Sequence, residues 1–346
     1  MGLERYGVLI GKVEDKYFDK DDSPHLHMLV TTPEKFDISV NVRSGVSFST
    51  NPRDGVPPNL VLFLVQDPFD HPILDDLKDK EPGLYDVPRE AGGIALDFIR
   101  GNLFDPALMM PLAHNVEGEN NDLFEKIGFY VDKAIADPNA LVYAFGEPWP
   151  KSDKENWRFK FTPDQGIHDI HMNQGNDPKH TRDDGVWQDG GLLFRFGDQW
   201  VGVFIAFQAQ CWHTDDETGA AIEGKCPIPT KEPDDTGATN NGKVRIVSVT
   251  CDPFGPDRGN EFVHLFNVTD RDIDITGWRL LDRRKKYEVL DGVIKANDFL
   301  RVPLSGRYTS LSNSGDTVTL LDGDRLKVHG VSYSKKQVKR GISILF

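Results

Sequence analysis

A stretch of polar and turn-forming residues divides this chain in two. Residues 217–242 are rich in Thr, Gly, Pro, Asp and Asn and contain almost no large apolar side chains. Such a segment buries too little apolar surface to offset the entropy that it would lose on folding, so its composition indicates a linker. A chain of 346 residues divided there must build a core on each side. The sequence therefore predicts a first domain over 1–216 and a second over 243–346.

Both halves are predicted to be mostly β. The 32 Gly and 22 Pro provide many turns, and the apolar residues occur in short runs with turn signals between them. In residues 36–42, Phe36, Ile38, Val40 and Val42 alternate with other residues and so share one face of a strand. We expect an α+β first domain with a β-rich core and few helices, and a β-sandwich as the second domain.

Local patterns predict individual elements of the first domain. Residues 6–13 have the composition of a strand, and the charged residues 12–22 that follow predict a loop. The strongest helix is predicted over 121–136, where Asn121 or Asp122 would cap the first turn and Glu125 stands at capping-box distance.

Charge is unevenly distributed along the chain, whose formal net charge is −15. From residue 243 onward, 18 Lys and Arg stand against 13 Asp and Glu, so the acidic excess lies in the first 242 residues. An acidic body disfavours non-specific nucleic-acid binding, which depends on neutralising phosphates. The basic clusters at 283–286 and 335–340 leave three alternatives open: a contact with an acidic partner, with the acidic body of the same chain, or with solvent alone.

Cysteine usage and hydropathy indicate the cellular compartment in which the protein is expected to work. The three cysteines, Cys211, Cys226 and Cys251, form no CxxC motif, and their odd number argues against a disulfide framework. No apolar run approaches the length of a membrane span, and the first residues carry no apolar signal core. We therefore expect a cytoplasmic protein that does not bind membranes.

The segment 166–191 carries the most chemistry. It contains His168, His171 and His180, several Asp and amide side chains, and five glycines. A core segment would need a partner for each of these polar groups. Loops that a rigid scaffold holds in place often carry function instead. We predict that a functional site lies here.

Two pairs of histidines suggest a metal centre. His168 and His171 form an HxxH motif, and His25 and His27 share one face of a predicted strand. Four imidazoles could surround zinc, manganese or iron, or three could leave a coordination position open. Two alternatives stay open: the histidines are hydrogen-bonded struts, or they divide general acid and base duties without a metal.

Other residues complete the predicted site. Amide side chains could orient a substrate oxygen, Asp169 or Asp184 could orient an imidazole, and an arginine could bind an anionic group. Turn formation, a structural salt bridge or a place in the core are the competing explanations. Catalytic roles are predicted for His168, His171, Asp169, Asn173 and Gln174, and substrate contacts for Arg100, Asn102, Trp187 and His213.

Residues spread over the first 215 positions resemble those of the bacterial YukJ-like proteins. The resemblance implies a shared fold and a shared site, and it supplies no activity. It is carried by residues 6–9, 25–27, 41–42, 95–104, 166–176, 184–191 and 212–215.

The last hundred residues resemble a lamin-tail domain, an immunoglobulin-like β-sandwich. The matching segments are 259–263 leading to Phe266 and Asn267, then 275–280, and finally 312–316 with Val318, Leu320 and Asp322. Such domains usually serve as accessory interaction modules, so the resemblance implies a protein partner for this part of the chain and no catalysis.

Together these features predict a metal-dependent hydrolase with a histidine-lined pocket and a small-molecule or polymeric substrate of unknown identity. No GxGxxG, Walker A, GxSxG, HExxH or EF-hand pattern is present, so no nucleotide cofactor is expected. The alternatives are a metal-free lyase, cyclase or isomerase that uses histidine acid–base chemistry, and a non-catalytic ligand-binding or scaffold protein.

Overall fold

A computed structural model describes most of both predicted domains. It covers residues 7–19, 24–42, 61–86, 102–105, 108–113, 115–168, 170, 191–207, 242–325 and 327–346. The elements before the predicted linker are β1 (Gly7–Asp19), β2 (His25–Thr31), β3 (Lys35–Asn41), β4 (Val61–Gln66), α1 (Leu74–Leu77), β5 (Gly83–Asp86), β6 (Met110–Leu112), α2 (Leu123–Ala136), β7 (Leu141–Ser152), β8 (Asp164–His168), β9 (Gly191–Phe196) and β10 (Gln199–Phe207).

Five of these strands close into a barrel. β1 pairs with β2, β2 with β3, β3 with β8, β8 with β7, and β7 returns to β1. Every pairing is antiparallel except β3 with β8, which is parallel. In chain order the helix α2 lies between the third and fourth barrel strands. This connectivity is that of the OB-fold, a five-stranded Greek-key barrel, and it confirms a β-rich first domain with few helices.

The barrel interior is filled by the apolar residues that alternate along its strands. Met28, Ile38 and Ile167 face inward and are fully buried, and α2 adds Ile127 and Val131 to the same cluster. The helix begins as predicted, since the Asp122 carboxylate accepts from the Glu125 N–H at 2.9 Å and the Glu125 carboxylate from the Asn121 N–H at 2.7 Å. These two bonds form a capping box.

The predicted loop over 12–22 is wrong for most of its length. β1 continues to Asp19, after a bulge between Val13 and Asp15. Its charged residues obscured an alternating pattern in which Phe18 turns inward and packs edge-on against Phe124, at a ring distance of 4.9 Å. The other set of side chains, which includes Tyr17, points away from the barrel interior.

The sheet continues beyond the barrel, because β7 also pairs with β9, and a second apolar layer covers one part of its outer surface. The β9–β10 hairpin turns at Gly197, whose φ of 61° suits glycine, and β4, β5 and β6 extend the sheet to ten strands. Tyr143 and Phe145 of β7 face this layer and join a cluster with Phe204 and Leu77 of α1. The part of the outer surface formed by β2, β3 and β8 lies outside this cluster.

The second domain is a β-sandwich, as predicted. One sheet has the order β17-β12-β11-β20 and the other β15-β14-β18-β19, with a short pair β13-β16 beside them. Trp278, Leu280 and Val263 lie in the core between the sheets. The strands are β11 (Val244–Thr250), β12 (Phe262–Asn267), β13 (Ile273–Asp274), β14 (Arg279–Leu281), β15 (Tyr287–Val289), β16 (Val293–Ile294), β17 (Phe299–Pro303), β18 (Gly315–Leu321), β19 (Lys327–Ser334) and β20 (Ile344–Leu345).

The two domains touch through charged groups. The Arg283 guanidinium pairs with the Asp76 carboxylate of the first domain. Asp70 accepts a hydrogen bond from the Ser334 hydroxyl at 3.0 Å and lies 3.5 Å from the Lys336 ammonium. Two members of the basic clusters therefore meet the acidic body of their own chain. Among the helices that the structure describes, none has the length and apolar character needed to cross a bilayer.

The sandwich carries a buried acid, Glu261, that links its stability to pH. Its side chain is 1% exposed, and Oε1 accepts from the Leu311 N–H at 3.0 Å while Oε2 has no described partner. Burial raises the pKa of Glu261 from 4.5 to about 7, against the opposing effect of the Leu311 hydrogen bond. A raised pKa means that the stability contributed by this group is present below pH 4.5 and is lost as pH rises to about 7.

We therefore predict that Glu261→Gln stabilises the protein at pH 8, by up to about 3 kcal/mol, and changes stability little at pH 5. The amide keeps the shape and the acceptor for Leu311 but cannot ionise. Thermal melts of both proteins at the two pH values measure the difference, with Glu119→Gln, an exposed position, as the control. An equal effect of Glu261→Gln at both pH values would contradict this account.

Candidate functional site

The polar site forms on the outer surface of the barrel, where the strand register aligns one row of side chains. His27 of β2 stands opposite Tyr17 of β1 and Ser39 of β3. Because Asp37 and Ile38 pair with Gly166 and Ile167, the same register sets His168 beside Ser39. On the far side, Glu147 of β7 pairs with His168. The row crosses all five barrel strands and places His168 of the HxxH motif on the same face as His27.

A second row lies next to the first, and it contains His25. His25 stands opposite Asp19 of β1 and Asn41 of β3. The His25 and His27 rings are tilted by 36°, with their centroids 5.6 Å apart. His25 is half-buried, whereas His27 is 2% exposed. The two imidazoles are neighbours on one face, as the strand period predicts.

His27 is bound to a carboxylate that is completely inaccessible to solvent. Its Nδ1 lies 2.9 Å from Oδ1 of Asp37, whose exposure is 0%. The other ring nitrogen, Nε2, is also buried, and no described residue forms a hydrogen bond with it. A buried polar atom normally has a partner, so Nε2 is a candidate ligand-binding atom.

The Asn156 side chain holds the β7–β8 loop against this face through hydrogen bonds. Its amide nitrogen donates to Asp37 Oδ2 at 3.1 Å and to Asp164 Oδ1 at 2.9 Å. Its amide oxygen accepts from the backbone N–H groups of Arg158 and Phe159, at 3.1 and 2.9 Å. One buried side chain therefore shapes the loop and satisfies the second oxygen of the carboxylate that holds His27.

The same loop places a cation and an aromatic ring beside the histidines. The Arg158 guanidinium lies 3.8 Å from Asp37 and 3.6 Å from Asp19. It also stacks on the Trp157 ring at 4.5 Å. Trp157 packs edge-on against Tyr17 at a ring distance of 5.7 Å, and Tyr17 lies 6.3 Å from the His27 ring.

A second tryptophan borders the face on its opposite side. The Trp149 ring lies over Gly166, where a Cβ atom would come within 2.2 Å of it, and 5.7 Å from the His168 ring. Gly166 thus allows the indole to lie flat against the sheet beside Asp37. The histidines are flanked by aromatic rings on both sides.

The described residues contain part of the predicted metal centre. Strands lie about 4.8 Å apart, so the Cα atoms of His27 and His168 are separated by about 10 Å across β3. Among the described residues, no three His, Cys, Asp or Glu side chains are grouped closely enough to hold an ion. The other predicted residues, Asp169, His171, Asn173, Gln174, Arg100, Trp187 and His213, lie outside the described residues.

Asn102, predicted to bind substrate, is placed at the contact between the domains. Its amide donates to the Val318 carbonyl at 3.2 Å and to the Thr319 hydroxyl at 3.0 Å, both on β18. Gly330 of β19 leaves the space that the side chain fills. These contacts indicate a structural role in domain docking, and they give no support to a substrate contact.

Comparison with known proteins bears on both domains. Residues 1–219 match a family described as uncharacterized conserved protein (DUF2278). That match covers more than half of the chain. The chain belongs to this family. One relative, the uncharacterized protein YukJ of Bacillus subtilis (strain 168), is 39% identical over 221 residues, which cover 62% of this chain and 93% of that protein. Residues 237–335 match the Lamin Tail Domain. The site lies on the part of the chain that defines the DUF2278 family.

Three residues central to this face were not predicted from the sequence: Asp37, Asn156 and Arg158. The signal for Asp37 was present, because it alternates with Phe36 and Ile38, which were assigned to the buried face. Asp37 must then lie on the opposite face, and it is two positions from Ser39, the partner of His27. Asn156 and Arg158 gave no comparable signal, because their roles depend on how a loop folds back.

Gly166 provides a test of this local packing. A Cβ atom there would lie 2.0 Å from the Asp37 carbonyl oxygen and 2.2 Å from the Trp149 ring. We predict that Gly166→Ala destabilises the protein by about 3 kcal/mol or prevents its folding, because the backbone neighbour cannot move aside. Denaturant unfolding measures the change.

Gly83→Ala is the matched control, since its nearest neighbours lie 3.6 Å away or farther. It should change the unfolding free energy by less than about 1 kcal/mol. Equal stabilities for the two variants would show that Trp149 does not lie over Gly166.

Proposed function

We propose that the outer face of β2, β3 and β8 is the active site of a metal-dependent hydrolase in which His25 and His27 are metal ligands. The observation that carries the proposal is the state of His27. One ring nitrogen is held by a fully buried carboxylate, and the other is buried without a described partner. Metal-binding histidines typically donate their second N–H to a carboxylate in this way.

The spacing of the two rings fits one ion. A transition metal lies about 2.1 Å from an imidazole nitrogen, and the ring centroid about 1.1 Å beyond that, so two imidazoles at a tetrahedral ion have centroids about 5 Å apart. The His25 and His27 centroids are 5.6 Å apart.

Each described residue has a distinct part in this arrangement. Asp37 fixes the His27 ring through Nδ1, which leaves Nε2 as the nitrogen that would bind the ion. Asn156 and Arg158 keep Asp37 in place from its other oxygen. His168 is the third ligand that we propose within the described face, and His171 the fourth. A bound divalent ion would supply Lewis-acid activation of water and of a substrate oxygen.

The His27–Asp37 pair also favours a second candidate, metal-free acid–base catalysis. A histidine oriented by a carboxylate at one nitrogen can exchange a proton with substrate at the other. His27 and a second histidine would then divide the general acid and base roles of a lyase, cyclase or isomerase, and the reaction would need no metal. Metal content separates this candidate from the first.

We propose that the protein works in the cytoplasm, since Cys251 is buried and forms no disulfide. For the C-terminal domain we propose a docking role. Arg283 and Lys336 contact the acidic body of the chain, and the exposed side chains of Lys335, Lys339 and Arg340 would meet an acidic protein partner.

The test of the first candidate is metal content. We predict about one zinc, manganese or iron per chain in protein prepared without a histidine tag and measured by elemental mass spectrometry. His27→Ala removes an inner ligand and should abolish retention of the ion. Asp37→Asn leaves every ligand in place but weakens the orientation of His27, so the metal affinity should fall by roughly 10- to 100-fold.

His264→Asn is the matched control, because His264 lies in the other domain and bonds to the Ser248 hydroxyl. It should keep the metal. If the wild-type protein stays metal-free after reconstitution with each of the three metals, or if His27→Ala and His264→Asn retain metal equally, the metal proposal is wrong.

A further inference from the structure

We infer that the substrate of the proposed site is a neutral oligosaccharide, bound along the outer face of the barrel strands β1, β2 and β3 and the β7–β8 loop. The inference rests on the proposed function for its chemistry, since it names the substrate class of the same site. It depends on observations that do not involve a metal: an exposed aromatic platform, its position next to His27, and the charge of the face.

The platform is formed by Trp157 and Tyr17. Trp157 is 54% exposed although it stacks with Arg158 on one side and meets the Tyr17 edge on another. Tyr17 is 38% exposed. An indole that stays in water does not contribute the stabilising free energy that burial of its apolar surface would give. Here Arg158 and Tyr17 contact the ring on two sides, so the exposed surface is oriented before any ligand arrives.

The platform adjoins the histidines. Tyr17 is the cross-strand partner of His27, and their rings lie 6.3 Å apart. Beyond His168, at the other end of the row, Trp149 is half-buried at 5.7 Å. A ligand that stacks on Trp157 and Tyr17 therefore passes over His27 if it continues toward Trp149. An extended chain of rings matches this geometry better than one small molecule.

The charge of the face decides between the two polymers that such surfaces bind. OB-fold barrels bind oligonucleotides and oligosaccharides on the face of their second and third strands. Around the histidines, the strands carry the carboxylates Asp15, Asp19, Asp37 and Glu147. The β7–β8 loop adds Asp153 and Glu155 and the cations Lys154, Arg158 and Lys160, so six acidic residues stand against three basic ones. Single-stranded nucleic acids need a cationic groove beside the stacking rings.

A sugar chain needs no such groove. Each pyranose presents C–H bonds that pack on an aromatic face and hydroxyls that donate to carboxylates and accept from a guanidinium. Asp19 and Arg158 stand beside the platform to make these bonds, and Asp19 is partly accessible. The face therefore favours a neutral glycan over a polyanion.

The experiment is affinity electrophoresis of the full-length protein in native gels that contain soluble β-glucan, xylan, galactomannan or starch. We expect at least one polysaccharide to retard the wild-type protein, and Trp157→Ala to weaken that binding by roughly tenfold. Phe129→Ala is the control: Phe129 is 63% exposed on α2, and its loss should leave the retardation unchanged. Metal content is measured on the same samples.

The outcomes separate this inference from the proposed function. Retardation that Trp157→Ala weakens, with metal content unchanged, supports both. Retardation in a protein without metal supports the glycan and overturns the hydrolase. No retardation in any gel, or equal retardation of Trp157→Ala and wild type, overturns the inference whatever the metal content. Binding of fluorescent oligothymidylate that Trp157→Ala abolishes would overturn it in favour of single-stranded nucleic acid.

Discussion

The buried carboxylate of Asp37 is the constraint around which the candidate site is built. An ionised carboxylate removed from water costs several kcal/mol unless other groups replace the lost hydration. Here His27 contacts one oxygen and Asn156 the other, with the Arg158 guanidinium farther out. His27 comes from β2, whereas Asn156 and Arg158 come from the β7–β8 loop, more than a hundred positions along the chain. The stability of the carboxylate thus requires the closed barrel and the folded β7–β8 loop, and the same contacts orient the imidazole.

The barrel also explains why the site lies where it does. A closed sheet has an inside and an outside, and the alternation of each strand assigns its residues to one or the other. The second apolar layer covers the outer surface around β9 and β10, and leaves the face of β2, β3 and β8 to polar groups. One-residue register shifts would move Asp37 and both β2 histidines into the apolar interior. The core packing that fixes the register therefore also fixes the site.

The sequence predicted what depends on local periodicity. Mostly-β architecture, the capped helix α2, the sandwich and the shared face of His25 and His27 all follow from patterns within a few residues. What it did not predict depends on contacts between distant segments. The closure of β7 on β1 joins residues more than a hundred positions apart, and Asn156 reaches back to Asp37 across a similar separation. The contacts of Asn102 with β18 were unpredictable for the same reason, because an amide in a polar segment has the same local pattern whether it meets a substrate or another domain.

The acidic residues of the first domain have two different surroundings in the structure. On the side that meets the sandwich, Asp70 and Asp76 pair with basic residues of the second domain, so part of the charge is used in domain docking. On the barrel face, the carboxylates instead surround the histidines. A polyanion would be repelled from that face, whereas a divalent cation or a hydroxyl-rich chain would be attracted to it. The uneven charge, which disfavours polyanionic partners, is therefore consistent with both the metal and the glycan that we propose.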